Sequence, residues 1–331
     1  MNVHVFAPGR VNLIGEHTDY TGGLVMPMAI DRYTEIEGTR GGQRVQLTSF
    51  DEPAPVDLPL AIDDPQHAEP AWAKYVAGVV AEMAPTEGFV GRVSTDIPIG
   101  AGLSSSHALQ VAVALALGHH GTAIDIAQLT QRAENRSSGV PTGIMDQLAI
   151  AAGVKGHALV IDCGDLTIEP VPMPDDLEVV VLFVAHRTLV GSAYADRVAE
   201  CRAVEQLIGP LRNATPEQAR AIEDPVLRMR ALHVTNENQR VRDFAAALRI
   251  DDLVSAGQLM AEGHESLRLL YDTSTPVMNQ AVAELCATPG VYGARMTGGG
   301  FGGCVVALTE PGALSRGWVV QAVDGARAVL S

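Results

Sequence analysis

The sequence predicts an α+β fold in two domains. Its 331 residues suit two domains of ~100–200 residues each, or one large one, with ample room for a buried core. Strand-like and helix-like segments are intermixed in both halves, with no fixed-period repeat and no low-complexity tract. A break rich in proline and acid, Pro172-Met173-Pro174-Asp175-Asp176, divides the chain into expected domains of residues 1–175 and 176–331.

Taken in order, Asn2–Phe6 alternates as a short strand up to Pro8-Gly9, a turn-rich stretch spans Gly15 to Gly23, and a mixed β region runs to about Phe50. Asp51–Pro70 carries five prolines and reads as a surface loop. In Ala71–Met83 the residues Trp72, Tyr75, Val76, Val79 and Val80 share one helical face. Arg92–Ile97 alternates as a half-buried strand, Pro98–Gly102 breaks it, and Ser104-Ser105-Ser106 leads into the helix former Ala108–Leu117. A second helix, about Asp125–Asn135, stops at Ser137-Ser138-Gly139, and a short helical segment follows from Gly143. Ala158–Cys163, Thr167–Val171 and Glu178–Ala185 read as strands. Beyond them Ser192–Leu207, Pro216–Ile222, Val226–Leu248 and Asp251–Tyr271 read as helices. Thr297–Gly303 is a glycine cluster before the strand Cys304–Leu308, and a last helix is expected from about Pro311.

Composition excludes several classes of function. There are 39 acidic against 23 basic residues, a formal charge of −16, and no long basic run, so neither nucleic acid nor an anionic membrane is an expected partner. A phosphate site must therefore be local, built from backbone amides, a few arginines and a metal. Only Lys74 and Lys155 are lysines, which argues against a lysine-centred phosphate loop. The four cysteines, Cys163, Cys201, Cys286 and Cys304, are far apart without metal-ligand spacing, and read as free thiols of a reducing compartment. Met1–Gly9 has neither the basic start nor the apolar run of a signal peptide, and the apolar stretches are too short to span a bilayer. A soluble, cytoplasmic protein is expected.

Four constellations could carry chemistry. Gly100 and Gly102 allow backbone N–H groups to approach a phosphate, and the helix start at Ser104–Ser106 adds free amides and a positive dipole end. One serine there could cap the helix or hold Mg²⁺, and a tight turn before an ordinary N-cap is the plainer alternative. Five glycines between Thr297 and Gly303, running into an apolar strand, suit a backbone held close to a ligand or another loop. Arg10, Asn12, Glu16, His17, Asp19 and Tyr20 bring six polar groups within eleven residues, suited to a ligand with several hydroxyls or to a solvated turn. Asp146, among Ile144, Met145 and Leu148, is a candidate base because a half-buried carboxylate needs partners. Glu134, twelve residues earlier and beyond a helix stop, cannot share a helix face with it.

Together these segments resemble a known family. Gly9–Tyr20 resembles the galactokinase signature GRxNLIGEHxDY at every fixed position. Pro98–Ser106 resembles the PxGxGLSSS phosphate loop of GHMP kinases, Thr297–Cys304 their glycine-rich third motif, and Gly139–Gln147 the segment that carries the galactokinase catalytic Asp. The motifs occur in family order over nearly the whole chain. The resemblance implies a two-domain GHMP kinase fold, the N-terminal domain ribosomal-protein S5 domain 2-like and the C-terminal one ferredoxin-like, with ATP and a sugar in the cleft between.

The resemblance also implies roles. Asp146 would take the proton of the anomeric C1 hydroxyl of galactose, and Arg10 would stabilise charge on the transferring phosphoryl group. Glu16, His17, Asp19, Gly143 and Tyr194 (in Gly191-Ser192-Ala193-Tyr194) would line the sugar pocket. Pro98, Gly100, Ala101, Gly102, Leu103, Ser104, Ser105 and Ser106 would hold the phosphates, and Ser106 with Glu134 would hold Mg²⁺. Trp72 and Tyr75 would lie beside the adenine, core packing being the plainer reading of both. The expected partners are small molecules only, and the expected state a monomer or weak homo-oligomer.

The sequence departs from the family pattern at named places. The signature starts after only eight residues, where galactokinases usually carry a longer segment. His107 stands where Ala is usual, Thr142 where Cys is usual, and Thr21 where Asn is usual. Thr21 and Thr142 leave a kinase for another sugar, such as N-acetylgalactosamine or arabinose, as one alternative; the resemblance implies a second, since some galactokinase relatives are co-regulators that bind sugar and ATP without turnover, a reading that the intact Ser104–Ser106 run and Asp146 disfavour.

Overall fold

The computed structural model describes residues 1–186 and 192–331. Its larger sheet is built from β1 (Asn2–Ile14), β2 (Leu24–Arg40), β3 (Arg44–Ser49), β4 (Val56–Pro59), β5 (Phe89–Thr95), β6 (His157–Asp162) and β7 (Thr167–Pro172). The smaller sheet contains β8 (Glu178–Ala185), β9 (Val291–Thr297), β10 (Gly303–Thr309) and β11 (Trp318–Val320), in the order β11-β8-β10-β9 and wholly antiparallel. The last strand, β12 (Arg327–Leu330), returns to the larger sheet, whose order is β12-β1-β2-β5-β3-β4, with β6 pairing the start of β2 and β7 pairing β6. Segment 173–177 is the link between the two sheets.

β1 shows how the halves fit together. Its first residues alternate, with Val3, Val5 and Ala7 inward, as expected of a strand with one wet face. From Ala7 to Ile14 every residue is buried, because helices of the second half cover the other face there. The signature is thus read out of a strand enclosed on both sides.

The helices of the first half are α1 (Ala73–Met83), α2 (Ser105–Ala116), α3 (Ala123–Ser138) and α4 (Met145–Ala152). Alanines at 108, 112 and 114 let α2 lie close against β1 and β2 while touching the other three helices. α3 starts at a capping box between Thr122 and Asp125 and stops at Gly139, whose φ is 70°. The second half adds α5 (Ser192–Ile208), α6 (Pro216–Arg220), α7 (Pro225–Arg249), α8 (Leu253–Ser266) and α9 (Pro276–Cys286). α7 has Pro225 at its first position behind the Asp224 cap, and it reaches across to β1 and β2.

Three sequence expectations are corrected. The chain does not close on a helix from Pro311: β11 and β12 occupy that stretch, and β12 pairs in register Val3↔Leu330 to Phe6↔Arg327. The proline-rich loop contains a strand, β4, whose Val56 and Leu58 are buried against the core while its backbone pairs β3. The segment Asp251–Tyr271 is not one α-helix, since α8 passes at Leu267–Tyr271 into a π-helical turn closed by Asp272 in left-handed conformation.

Candidate active site

Between the halves lies a cavity of about 750 Å³. β1 supplies Arg10 and the turn after it supplies Glu16, His17 and Asp19; Gly298, Gly299, Gly300 and Phe301 close the opposite wall. The loop after β5 and the start of α2 contribute Ile99, Gly100, Gly102, Ser104, Ser105, Ser106 and His107. Trp72, Tyr75, Glu134, Thr142, Gly143, Asp146 and Tyr194 complete this part of the lining. Gly191, the first residue of the segment that carries Tyr194, is outside the described residues.

The centre of the site is a carboxylate with three cationic or polar neighbours. Arg10 Nε donates to Asp146 Oδ1 at 2.5 Å, and Arg10 Nη1 donates to the Gly102 carbonyl at 2.8 Å. Ser104 Oγ donates to Asp146 Oδ2 at 2.7 Å, and His107 Nδ1 is 3.2 Å from the same oxygen. Burial alone would raise this carboxyl, but Arg10, His107 and the Ser104 hydrogen bond outweigh it and hold Asp146 down at about 2. It is therefore an ionised, oriented carboxylate at neutral pH.

The glycine loop divides its labour. Gly100 and Gly102 have φ of 77° and 83°, and a Cβ built on Gly100 would meet nothing, so its backbone faces open space. Ala101 and Leu103 instead bury their side chains in the core. The Ala101 N–H is taken by the Pro98 carbonyl, and the Leu103 carbonyl accepts from Arg10 N. Pro98, Ala101 and Leu103 shape the loop without lining the cavity. Ser104 is left-handed at φ 64° and makes no side-chain cap to α2. Its hydroxyl serves Asp146, a role that the sequence run does not reveal.

The sugar-signature residues meet in a second cluster. The Asp19 carboxylate lies so close to Gly143 that a Cβ there would sit 1.7 Å from Asp19 Oδ2. Burial, with Asp146 and Glu16 nearby, raises Asp19 to about 7. Glu16 is raised by burial too, against the opposing pull of Arg295 and Arg10, and it accepts from Gly298 N at 2.8 Å. Thr297 Oγ1 donates to the Asn12 carbonyl at 3.0 Å, so the second glycine cluster is held against the signature strand. Burial, then Asp19 and Asp146, push the Tyr194 phenol well up. Thr21 is folded away from the cavity, its hydroxyl on the Thr18 carbonyl at 2.7 Å.

Residues that sequence reasoning did not single out support this cluster from α7 and β9. Glu237 and Arg295 form a fully buried ion pair at 3.2 Å, and Glu237 Oε1 also accepts from Gly15 N at 3.0 Å. His233 Nε2 donates to the Glu16 carbonyl at 3.0 Å, while its Nδ1 accepts from Ser266 Oγ at 2.8 Å. An arginine inside the apolar run Ala294-Arg295-Met296 was the available signal, because a charge in a buried strand requires a partner.

Three family models match the chain: the galactokinase galactose-binding signature at residues 2–40, the GHMP kinases N-terminal domain at 72–154, and the GHMP kinases C-terminal domain at 244–317. The galactokinase of Homo sapiens is 41% identical over 98% of this chain and 91% of its own length. The chain belongs to the galactokinase family. Among solved structures, the Lactococcus lactis galactokinase complexed with galactose superposes with a TM-score of 0.92 at 30% identity, covering 98% of this chain and 95% of that one. A mevalonate kinase at 22% identity superposes with a TM-score of 0.68 over 95% of this chain and 92% of that one, a likeness of fold. This galactokinase-family chain is thus a sugar kinase with the two-domain GHMP fold. Among the described residues no helix is long and apolar enough to cross a membrane.

Trp72 and Tyr75 both pack with the core and line the cavity. Trp72 is packed in the core with its Nε1 donating to the Ala54 carbonyl at 3.0 Å, yet both rings face the cavity. For a divalent cation, the test is whether Glu134 has a carboxylate to offer. Its Oε2 is buried without a hydrogen-bond partner, and it shares the cavity with Ser106. Two hard oxygen donors, one of them a carboxylate oxygen without a hydrogen-bond partner, fit Mg²⁺.

Proposed function

We propose that this protein transfers the γ-phosphoryl group of ATP to the anomeric C1 hydroxyl of α-D-galactose, releasing galactose 1-phosphate and ADP. The observation that carries the reading is the Arg10–Asp146 pair at 2.5 Å, between the glycine loop and the Asp19–Gly143 cluster. A hydroxyl bound beside Asp19 would have Asp146 as its acceptor. The nucleotide phosphates would lie over the amides of Gly100 and Ser104–Ser106.

The chemistry follows from what those groups can do. A loose phosphoryl-transfer transition state asks for alignment and charge stabilisation more than for a strong base. Asp146, held near 2, suits that role: it orients the hydroxyl and receives its proton late, as the phosphoryl group arrives. Arg10 stabilises the carboxylate and the transferring charge together. Glu16, His17, Asp19 and Tyr194 provide donors and acceptors for the sugar hydroxyls, and Trp72 with Tyr75 offers apolar faces to the adenine. Glu134 and Ser106 would hold Mg²⁺, which when bound supplies neutralisation of the nucleotide phosphates.

The site residues come from both sides of the 175/176 division, which we keep as the domain boundary, with β12 as the strand that crosses back. The four separated cysteines suit a reducing compartment, and we propose a cytoplasmic enzyme that acts as a monomer or weak homo-oligomer. ADP release with Mg·ATP across a panel of sugars tests the reading, with galactose expected to be the best substrate. Stronger turnover with another sugar would replace galactose while keeping the mechanism. Binding of sugar and nucleotide without turnover would replace the kinase by a sensor.

A further inference from the structure

The part of the cavity wall that carries Gly143 is held by one face of α3. That helix stops at Gly139, and the chain turns back so that Thr142 lies beside the last turns of the helix it has just left. Asn135 Oδ1 accepts from Thr142 N at 2.9 Å and from Thr142 Oγ1 at 3.2 Å. Gln131 Nε2, about one helical turn earlier, donates to the Thr142 carbonyl at 3.0 Å. Residues four apart share a helix face, so both amides reach the same short segment. The partners fix the direction of each bond, since a backbone N–H only donates and a carbonyl only accepts. Both main-chain groups of Thr142 and its hydroxyl are thus engaged by two side chains of α3.

The residue that follows has little freedom. The Thr142 carbonyl and the Gly143 nitrogen belong to one planar peptide unit, so a hold on the first fixes the second. Gly143 is the residue on which a Cβ would sit 1.7 Å from Asp19 Oδ2, and its backbone also approaches the Tyr194 phenol. Asn135 and Gln131 themselves do not line the main cavity. Gln131 faces a second cavity of about 350 Å³, which shares Asp19, Thr142 and Gly143 with the first.

We propose that Asn135 and Gln131 are positioning residues for the sugar pocket: by gripping Thr142 from α3 they set how closely Gly143 lies to Asp19, and through that contact the affinity for the sugar. The sugar in this statement rests on the function proposed above; the grip does not. Asp146, which follows in the same segment, is fixed separately by Arg10 and Ser104. Loss of the grip therefore reaches sugar binding and leaves the catalytic carboxylate in place. The Thr142 hydroxyl, one of the departures from the family pattern, belongs to the grip as the second donor to Asn135.

Amide hydrogen exchange in the sugar-free protein tests the grip. The Thr142 N–H should be protected in the wild type and in Asn135→Asp, which keeps both acceptor contacts, and should exchange faster in Asn135→Leu. An unprotected Thr142 N–H in the wild type would overturn the proposal, whichever sugar the enzyme takes. Calorimetry without nucleotide, on the best-bound sugar of the panel, tests the consequence. It needs binding but no turnover, so a failure of the kinase reading and a failure of this one are separate results. Asn135→Leu should raise the sugar Kd roughly 3- to 30-fold, up to the worth of two neutral hydrogen bonds. With kcat and the ATP KM unchanged, that is the signature of lost ground-state binding. Asn135→Asp should keep the wild-type Kd. A wild-type Kd in Asn135→Leu, an equal rise in the ATP KM, or an equal loss in Asn135→Asp would overturn the proposal. Gln131→Met should raise the Kd by a smaller factor, one bond being lost instead of two. It stands in if Asn135→Leu does not fold, and a wild-type Kd there would overturn the proposal as well.

Discussion

Arg10 and Asp146 are joined by a 2.5 Å hydrogen bond across 136 residues of chain, between a strand and the first turn of a helix. Because Arg10 also donates to the Gly102 carbonyl, one guanidinium ties the carboxylate to the glycine loop. The group that would align the nucleophile and the loop that would hold the phosphates are therefore fixed relative to one another before either ligand arrives. That is the preorganisation that phosphoryl transfer requires.

Asp146→Asn is expected to lower kcat by ~10²–10⁴-fold, as for loss of a general base, while leaving sugar and nucleotide binding in place. The carboxyl stands at about 2, below its ordinary 3.8, so its charge is kept at every pH above that and lost only as pH falls through about 2. A carboxyl ¹³C titration of the free protein should show no Asp146 midpoint above pH 4. Near-normal turnover in the variant would remove the assigned role.

Glu237 gives the strongest stability prediction. It is fully buried against Arg295 and also accepts from Gly15 N. Glu237→Ala leaves a buried guanidinium without its partner, which costs about 3–5 kcal/mol. Denaturant midpoints should show this, and Glu237→Leu combined with Arg295→Met should recover only the part due to the unpaired Arg295, since Gly15 N and Arg240 still lose their acceptor. A double variant as unstable as the sum of the single ones would mean that the pair is not coupled.

Gly143→Ala is expected to act on the sugar alone. The added methyl must displace the Asp19 carboxylate, since their separation would be 1.7 Å. Overpacking of this kind costs about 1–3 kcal/mol, or roughly 5- to 150-fold in a binding constant. The sugar KM should rise by such a factor with the ATP KM unchanged; equal changes in both would place the strain elsewhere.

What could be read from the sequence was what is local in the sequence. The signature, the two glycine clusters and Asp146 are short runs whose residue types carry their own chemistry. The Ser104 hydroxyl on Asp146 and the Tyr20–Tyr271 contact join residues 42 and 251 positions apart, and no spacing rule encodes them. The misread C-terminus has a different cause. Every residue of β12 is exposed, so it lacks the alternation that marks a half-buried strand, and only its pairing with β1 makes it one. β4 was hidden by the prolines around it, although Val56 and Leu58 alternate inward. The π-helical turn was hidden because Leu267–Tyr271 continues the helical run of α8 without a proline or glycine.

Asp19 connects stability to pH with a sign opposite to that of Asp146. Burial, with the charges of Asp146 and Glu16, raises its folded value to about 7 from an ordinary 3.8. Between those two values the folded protein holds a proton that the unfolded chain releases, so this group makes stability fall as pH rises from about 4 to about 7 and leaves it level above. Asp19→Asn cannot ionise and escapes that loss. The variant should therefore gain stability over the wild type increasingly from pH 4 to pH 7, and by a constant amount at higher pH. Thermal melts of both proteins across that range measure the difference, with every titrating group that does not interact with Asp19 cancelling. Sugar affinity should move the other way, because the ionised Asp19 is the better acceptor: wild-type binding should tighten as pH rises through about 7, and the variant should bind weakly throughout. A stability difference that is flat with pH, or largest in acid, would show that Asp19 ionises freely in the folded protein.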